Sequence, residues 1–176
     1  KRLSEIADKI DYFIGGSADL ASSTKTYLKN YNDIKIDDFS GKNIWFGVRE
    51  HAMGAILNGL ATLNFKVFGS TFLVFSDYLK PAIRLSSLMG LPVVYIFSHD
   101  SIDIGEDGPT HQPIEQLAML RSIPNTNVFR PADANELLGS WNYILNSKKT
   151  SILVLGRNQT PILKSSTKDV SKGAYI

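Results

Sequence analysis

The sequence predicts an α/β fold: a doubly wound, mainly parallel sheet with helices on both faces. Two observations carry that expectation. Strand-like apolar runs alternate with segments of helical periodicity, the order that βαβ units produce. The strand-like runs are also apolar almost without interruption, most clearly LPVVYIFS at residues 91–98, as strands covered on both faces must be.

The elements follow along the chain. DYFIGG (11–16) is expected as a strand ending in a glycine turn. In VREHAMGAILNGLATLNF (48–65), Val48, Ala52, Ile56, Leu60 and Leu63 recur at spacings of three and four, which predicts a helix with these residues on one side. Much of the remaining surface is apolar too, so this helix is expected to be buried. KVFGSTF (66–72) is expected as a strand and VFSDYLKPAIRLSSLMG (74–90) as a helix stopped at Gly90. Pro81 should kink it or lie near its first turn. After the 91–98 strand come a helix at 113–123, a strand at 126–131, a helix at 133–147 with Asp133 as N-cap, and a last strand at 150–156. Residues 1–160 are expected to form one domain. Residues 161–176, rich in Ser, Thr and Lys, are expected to be a polar tail or a linker to a further domain.

The 176 residues suit a single domain, and 43% apolar content is enough for a substantial core. The net charge of +2 and the pI near 8.7 are mild, and no basic block or aromatic–basic stripe argues for nucleic acid. No apolar run is long enough to span a bilayer, and no signal peptide opens the chain. No membrane and a cytoplasmic location are therefore the default expectations. Cysteine is absent, which excludes disulfides, thiol catalysis and cysteine-ligated metals. The chain opens on Lys1 rather than methionine, as an excerpt of a longer polypeptide would.

One segment does not suit a core. HDSIDIGEDGPTHQP (99–113) crowds acids, histidines, glycines and prolines behind the 91–98 strand. In open parallel sheets ligands bind beyond the carboxyl ends of the strands, so charge there is expected to be functional. The acids Asp100, Asp103, Glu106 and Asp107 lack the alternate spacing and terminal Glu of an EF-hand. Three histidines and no cysteine argue against zinc. SGKN (40–43) lacks the rest of a phosphate loop, and no G-x-G-x-x-G follows a strand.

Six stretches in one order narrow the reading: GGSADLASS, GVREHAMGAILNGLA, GSTFLVFSDY, HDSIDIGEDGPTHQPIEQLAMLR, FRPAD and GRNQ. Together, over residues 13–160, they resemble transketolase, and the chain looks like the middle, pyrimidine-binding domain of that thiamine-diphosphate-dependent family. The resemblance implies the pyrimidine module of the thiamine-diphosphate-binding fold. It implies transfer of a two-carbon ketol unit from a ketose phosphate to an aldose phosphate, as in the pentose phosphate pathway. Dihydroxyacetone synthase and deoxyxylulose-phosphate synthase share parts of the pattern and stay open as alternatives, as does a non-catalytic binding module of the same fold.

The resemblance assigns Glu50, in REHA, to the N1′ atom of the cofactor's aminopyrimidine. Thiamine must lose the C2 proton of its thiazolium. A carboxyl group on N1′ favours the imino form of the pyrimidine, whose 4′-nitrogen can take that proton. At the start of a helix the dipole favours a Glu50 carboxylate by only roughly 0.3–1 kcal/mol. Burial beside an apolar ring outweighs this, so Glu50 is expected to share or donate a proton when the cofactor is bound. Phe72, Phe75 and Tyr78 recur every three residues; core packing would explain the spacing, and the family places these rings around the aminopyrimidine. Asp19 looks like the family's acid near the thiazolium, although a turn or helix cap would use the same residue.

On the substrate side the resemblance carries over Ser23, His99 and Arg157 as phosphate or sugar contacts. Arg157 follows the last strand, where its fork of donors would suit a phosphate and a surface ion pair equally. Asp107 and His111 are assigned to hydroxyls near the reacting carbon, with His111 able to bond a developing alkoxide or shuttle a proton. Gly105, Gly108 and Pro109 would hold their loop bent. The family binds the cofactor's diphosphate and a divalent metal (Mg or Ca) on a domain ahead of this one, and a further substrate-phosphate arginine also lies upstream. The resemblance therefore implies partners: N- and C-terminal domains of a parent chain, and a second subunit of a homodimer. The isolated domain is expected to fold and to be inactive.

Overall fold

The computed structural model describes residues 2–173. In chain order the elements are α1 (Arg2–Ala7), β1 (Phe13–Ser17), α2 (Ala21–Thr24), β2 (Asn43–Trp45), α3 (Glu50–Thr62), β3 (Lys66–Phe72), α4 (Ser76–Leu88), β4 (Val94–Ser98), α5 (Gln116–Arg121), β5 (Asn127–Phe129), α6 (Ala134–Asn146) and β6 (Ser151–Val154). Short 3₁₀ segments cover Leu73–Phe75, Ile102–Asp107 and Val170–Lys172. The strands form one sheet in the order β2-β1-β3-β4-β6-β5, and every neighbouring pair is parallel.

The two-residue period of the strands divides their side chains between two cores. Ile14, Val67, Tyr95, Phe97, Ile152 and Val154 face the helices α3, α4 and α5. Phe13, Phe68, Val94, Ile96 and Leu153 face α1 and α6, packing with Ile6, Trp141 and Ile144. Helices therefore cover both faces, as the doubly wound expectation requires. Phe13 and Phe68 stack at 5.1 Å on adjacent strands β1 and β3, a pairing that also adds aromatic contact energy of roughly 0.5–1.5 kcal/mol.

The inward face of α3 differs from the expected one. Val48 is 75% exposed, Ile56 48% and Leu63 68%, while Glu50, Met53, Gly54, Leu57, Asn58 and Ala61 are buried. The helix is apolar on nearly every side, so periodicity could not choose its face. Packing chose it through small and polar residues. A Cβ on Gly54 would lie 2.6 Å from Cβ of Ala82, so glycine lets α3 and α4 approach closely. Asn58 then bridges them: its Nδ2 donates to the Ala82 carbonyl at 3.0 Å, and its Oδ1 accepts from Ser86 Oγ at 2.5 Å. Ser86 Oγ lies 2.8 Å from the hydroxyl of Tyr95, whose burial pushes its phenol far above the ordinary range.

Other boundaries shift. The expected 113–123 helix is reduced to α5; ahead of it, Ile114 N donates to the Gln116 side chain at 2.9 Å. Pro81 lies inside α4, which begins only after the 3₁₀ turn. Strand β2 and helices α1 and α2 were not anticipated; β2 has three residues, one of them Asn43. Asp133 caps α6 as expected, accepting from Asn135 N and Glu136 N. Its second oxygen accepts from Leu163 N at 2.9 Å, and Asn135 Nδ2 donates to Ser166 Oγ at 3.0 Å. The segment expected as a tail thus begins by lying against α6.

Asn58→Ala is expected to strip partners from the buried hydroxyls of Ser86 and Tyr95 and to lower stability by about 1–3 kcal/mol. A shift of the urea midpoint with an unchanged slope would measure it.

Candidate functional site

Parallel strands release the chain on one edge of the sheet, and strand order reverses twice there. From β1 the chain steps outward to β2 and then returns to the other side of β1 as β3; β6 likewise inserts between β4 and β5. Crevices open at such switch points. Asp19 sits just after β1 with φ 61°, a backbone conformation that costs energy for any residue but glycine and recurs at functional sites. The turn is tied down from below: Ser17 Oγ donates to the Ser70 carbonyl at 2.9 Å, and Leu20 N donates to Ser17 Oγ at 3.2 Å. His99, just after β4, has φ 58°.

A cleft of about 510 Å³ lies on this edge, lined by Asp19, Leu20, Val48, Glu50, Phe75 and Tyr78, with His111 at its side. Glu50 is the first residue of α3 and is only 8% exposed. Its carboxylate makes no hydrogen bond or ion pair among the described residues. Glu50 lines the cleft, so its carboxylate is open to a donor from a bound molecule.

The three aromatic rings step across the junction of β3 and α4. Phe72 stacks on Phe75 at 6.0 Å, and Phe75 meets Tyr78 at 6.3 Å. The 3₁₀ turn explains the alignment, since its side chains eclipse every third residue. Phe72 is buried and does not line the cleft. It backs Phe75 and carries His99 on its other side at 3.8 Å. Phe75 is half-buried and Tyr78 is 66% exposed, so they present faces to the cleft.

His111 comes from the acidic loop and packs edge-on against Phe75 at 5.3 Å. Its Nδ1 lies 2.9 Å from Thr110 Oγ1, which leaves Nε2 without a partner among the described residues. The loop bends through Gly105 and Gly108, with φ 77° and 73°, as the glycines there foretold. His99 is buried, and its Nδ1 shares a hydrogen bond of 2.9 Å with Ser98 Oγ. Burial lowers its proton affinity first, followed by the positive charge of Arg157; Asp107 opposes them and His111 adds to them. His99, Arg157, Asp107 and His111 therefore share one electrostatic neighbourhood. Arg157 and Asp107 are exposed and make no ion pair among the described residues. Ser23 is exposed on α2, and no contact joins it to those four residues. The sequence reading did not anticipate Leu20, or Val48 as a wall of the cleft; both flank motif residues, and an exposed apolar neighbour of a motif was the available signal. Among the described residues no group of three or more His, Asp or Glu could hold a metal ion, and no helix is long and apolar enough to cross a membrane.

The family model described as "Transketolase, pyrimidine binding domain" matches residues 1–162. The chain belongs to the transketolase pyrimidine-binding domain family. The transketolase of Bacillus subtilis is 55% identical over 99% of this chain, and the chain spans 27% of that relative's length. The transketolase of Pichia stipitis, solved with sedoheptulose 7-phosphate, superposes with a TM-score of 0.94 at 45% identity, over 98% of this chain and 27% of that one. A split-gene transketolase described as an inactive β4 tetramer superposes with a TM-score of 0.72 at 27% identity, over 93% of this chain and 51% of that one. The strand order and two-faced helix packing are thus those of a transketolase pyrimidine domain, within a longer kind of protein.

The depressed proton affinity of His99 predicts a pH effect. Between its ordinary value of 6.5 and its lower folded value, the unfolded chain binds the extra proton, so stability rises with pH there. Stability from this group is complete above the ordinary value and is lost as pH falls through that window. On moving from about pH 8 to about pH 5.5, His99→Gln should lose less stability than the unaltered chain. Urea midpoints of both at each pH check this; equal losses would contradict it.

Proposed function

We propose that this chain supplies the pyrimidine-side half of a transketolase active centre, completed by thiamine diphosphate and by a diphosphate- and metal-binding domain of a second subunit. The observation that carries the proposal is Glu50, a largely buried residue whose carboxylate has no partner among the described residues and faces a cleft walled by Phe75 and Tyr78. The residues present fit an aminopyrimidine. Glu50 would hold its ring nitrogen, the two aromatic side chains would cover a flat heterocycle and exclude water, and Asp19 would offset the positive charge of the thiazolium. When bound, thiamine diphosphate supplies an acidic ring carbon that can accept a two-carbon ketol unit.

The chain's own residues would do the rest. Glu50 would hydrogen-bond the pyrimidine nitrogen and so orient the ring between the aromatic walls. His111 would present its free Nε2 to a substrate hydroxyl or alkoxide and relay a proton there. Asp107 would accept a hydrogen bond from a hydroxyl and so select stereochemistry. Arg157, with His99 and Ser23, would take the anionic far end of a sugar phosphate. A divalent metal, Mg or Ca, would sit on the other domain with the diphosphate. The relatives described above carry the transketolase name, which favours ketol transfer between sugar phosphates over the sister enzymes. A homodimer, residence in the cytoplasm and a role in the pentose phosphate pathway complete the reading. The inactive tetramer of the split-gene relative supports the view that such a chain folds and assembles without catalysing alone.

Two outcomes test the assignment. In the full-length enzyme, Glu50→Gln should slow deuterium exchange at the cofactor's C2 by roughly 10²-fold or more, the scale of a lost acid–base group; an unchanged exchange rate would remove Glu50 from this role. Asp107→Ala should relax discrimination between sugar stereoisomers by about tenfold, equivalent to one lost hydrogen bond of about 1.4 kcal/mol, while cofactor affinity stays unaltered. Retained stereoselectivity would count against Asp107.

A further inference from the structure

We propose that Gln116 is a positioning residue that latches the loop carrying Asp107 and His111 onto the aromatic turn of α4, so that the substrate and cofactor sides of the cleft keep one spacing. The proposal rests on the site reading given above. Gln116 opens α5 and is 2% exposed. Its Oε1 accepts from Ile114 N at 2.9 Å, and its Nε2 donates to Asp77 Oδ2 at 3.0 Å. Asp77 lies in the first turn of α4, between Phe75 and Tyr78. Ile114 lies just past His111 in the chain. One amide therefore joins the loop's exit to the turn that holds two walls of the cleft.

The other polar ties on the loop run elsewhere. Asp100 pairs with Arg130 Nε at 2.7 Å, which anchors the entrance to the end of β5. Gln112 Nε2 donates to the Ile102 carbonyl at 3.1 Å, which holds the loop to itself. His111 meets Phe75 only through an edge-on ring contact, whose energy changes slowly with a slide of one ring over the other. The Gln116–Asp77 bond has a carboxylate acceptor and so belongs to the stronger, shorter-ranged and directional class. Buried amides that satisfy both ends specify geometry, and here the two ends belong to segments 39 residues apart. A slip of about 1 Å between these segments would move His111 relative to Phe75 and Glu50, enough to cost up to roughly 10²-fold in a positioned reaction.

Polarity gives a decisive test. Gln116→Glu sets a carboxylate against Asp77 and removes the donor. Adding Asp77→Asn reverses the bond, because the asparagine amide can donate to the new carboxylate, whose other oxygen still accepts from Ile114 N. In the full-length enzyme, Gln116→Glu should raise the donor-sugar KM and lower kcat/KM by roughly tenfold, leave thiamine-diphosphate affinity within about twofold, and be restored to within about threefold by the double substitution. A Gln116→Glu enzyme that melts earlier yet keeps its KM, or a double variant that recovers nothing, overturns the proposal. Amide hydrogen exchange of residues 102–114 provides a readout independent of chemistry. It should accelerate by about tenfold in Gln116→Glu and recover in the double variant. If the unaltered enzyme transferred no ketol unit, the function proposed above would fail, and this exchange pattern would still decide whether the latch exists.

Discussion

Because all six strands run parallel, every strand-to-helix turn opens on one edge of the sheet. The rest of the site depends on that constraint. Asp19, Glu50, Phe75, His99 and Arg157 lie far apart in sequence, yet each follows the carboxyl end of a strand. The two reversals in strand order leave room between turns, and the cleft forms at one of them. Positive φ occurs there at two non-glycine residues. Asp19 and His99 both hold positive φ, a cost that the packed sheet beneath them can sustain because its own geometry is unstrained.

Two environments meet on this edge of the sheet. One is the cleft itself, where half-buried Phe75 and exposed Tyr78 stand beside the largely buried Glu50. The other lies beside the cleft, where exposed Arg157 and Asp107 keep their charges in water. Phe72 separates the two. It stacks with both Phe75 and His99, so one buried ring touches the aromatic wall of the cleft and the His99 neighbourhood.

The outward residues in and around α3 and α4 give the domain a second character. Val48, Ile56, Leu63, Tyr78, Leu88 and Met89 are exposed, and Val48 and Tyr78 line the cleft itself. Such a concentration of apolar surface is uncommon on a chain that works alone. The curated relatives that the domain matches are nearly four times as long as this chain.

Much of this was legible in the sequence, for identifiable reasons. Long strands such as 91–98 announce themselves by continuous hydrophobicity, and Asp133 caps α6 because capping is local chemistry. Gly105 and Gly108 marked the bend of the acidic loop because few other residues hold positive φ. The motifs pointed to the family because six of them occur in one order along the chain. What the sequence left undecided were relations between segments. It could not choose the inward face of α3, since nearly every side of that helix is apolar. It passed over β2, whose three residues are a strand only because β1 lies beside them. It did not single out Gln116, whose role depends on Asp77 arriving from a distant turn. Local chemistry determined the elements, the caps and the reactive side chains by itself. Which surfaces touch, and at what distance the reactive groups face each other, was decided only by tertiary packing, because those energies belong to pairs of segments and not to either one.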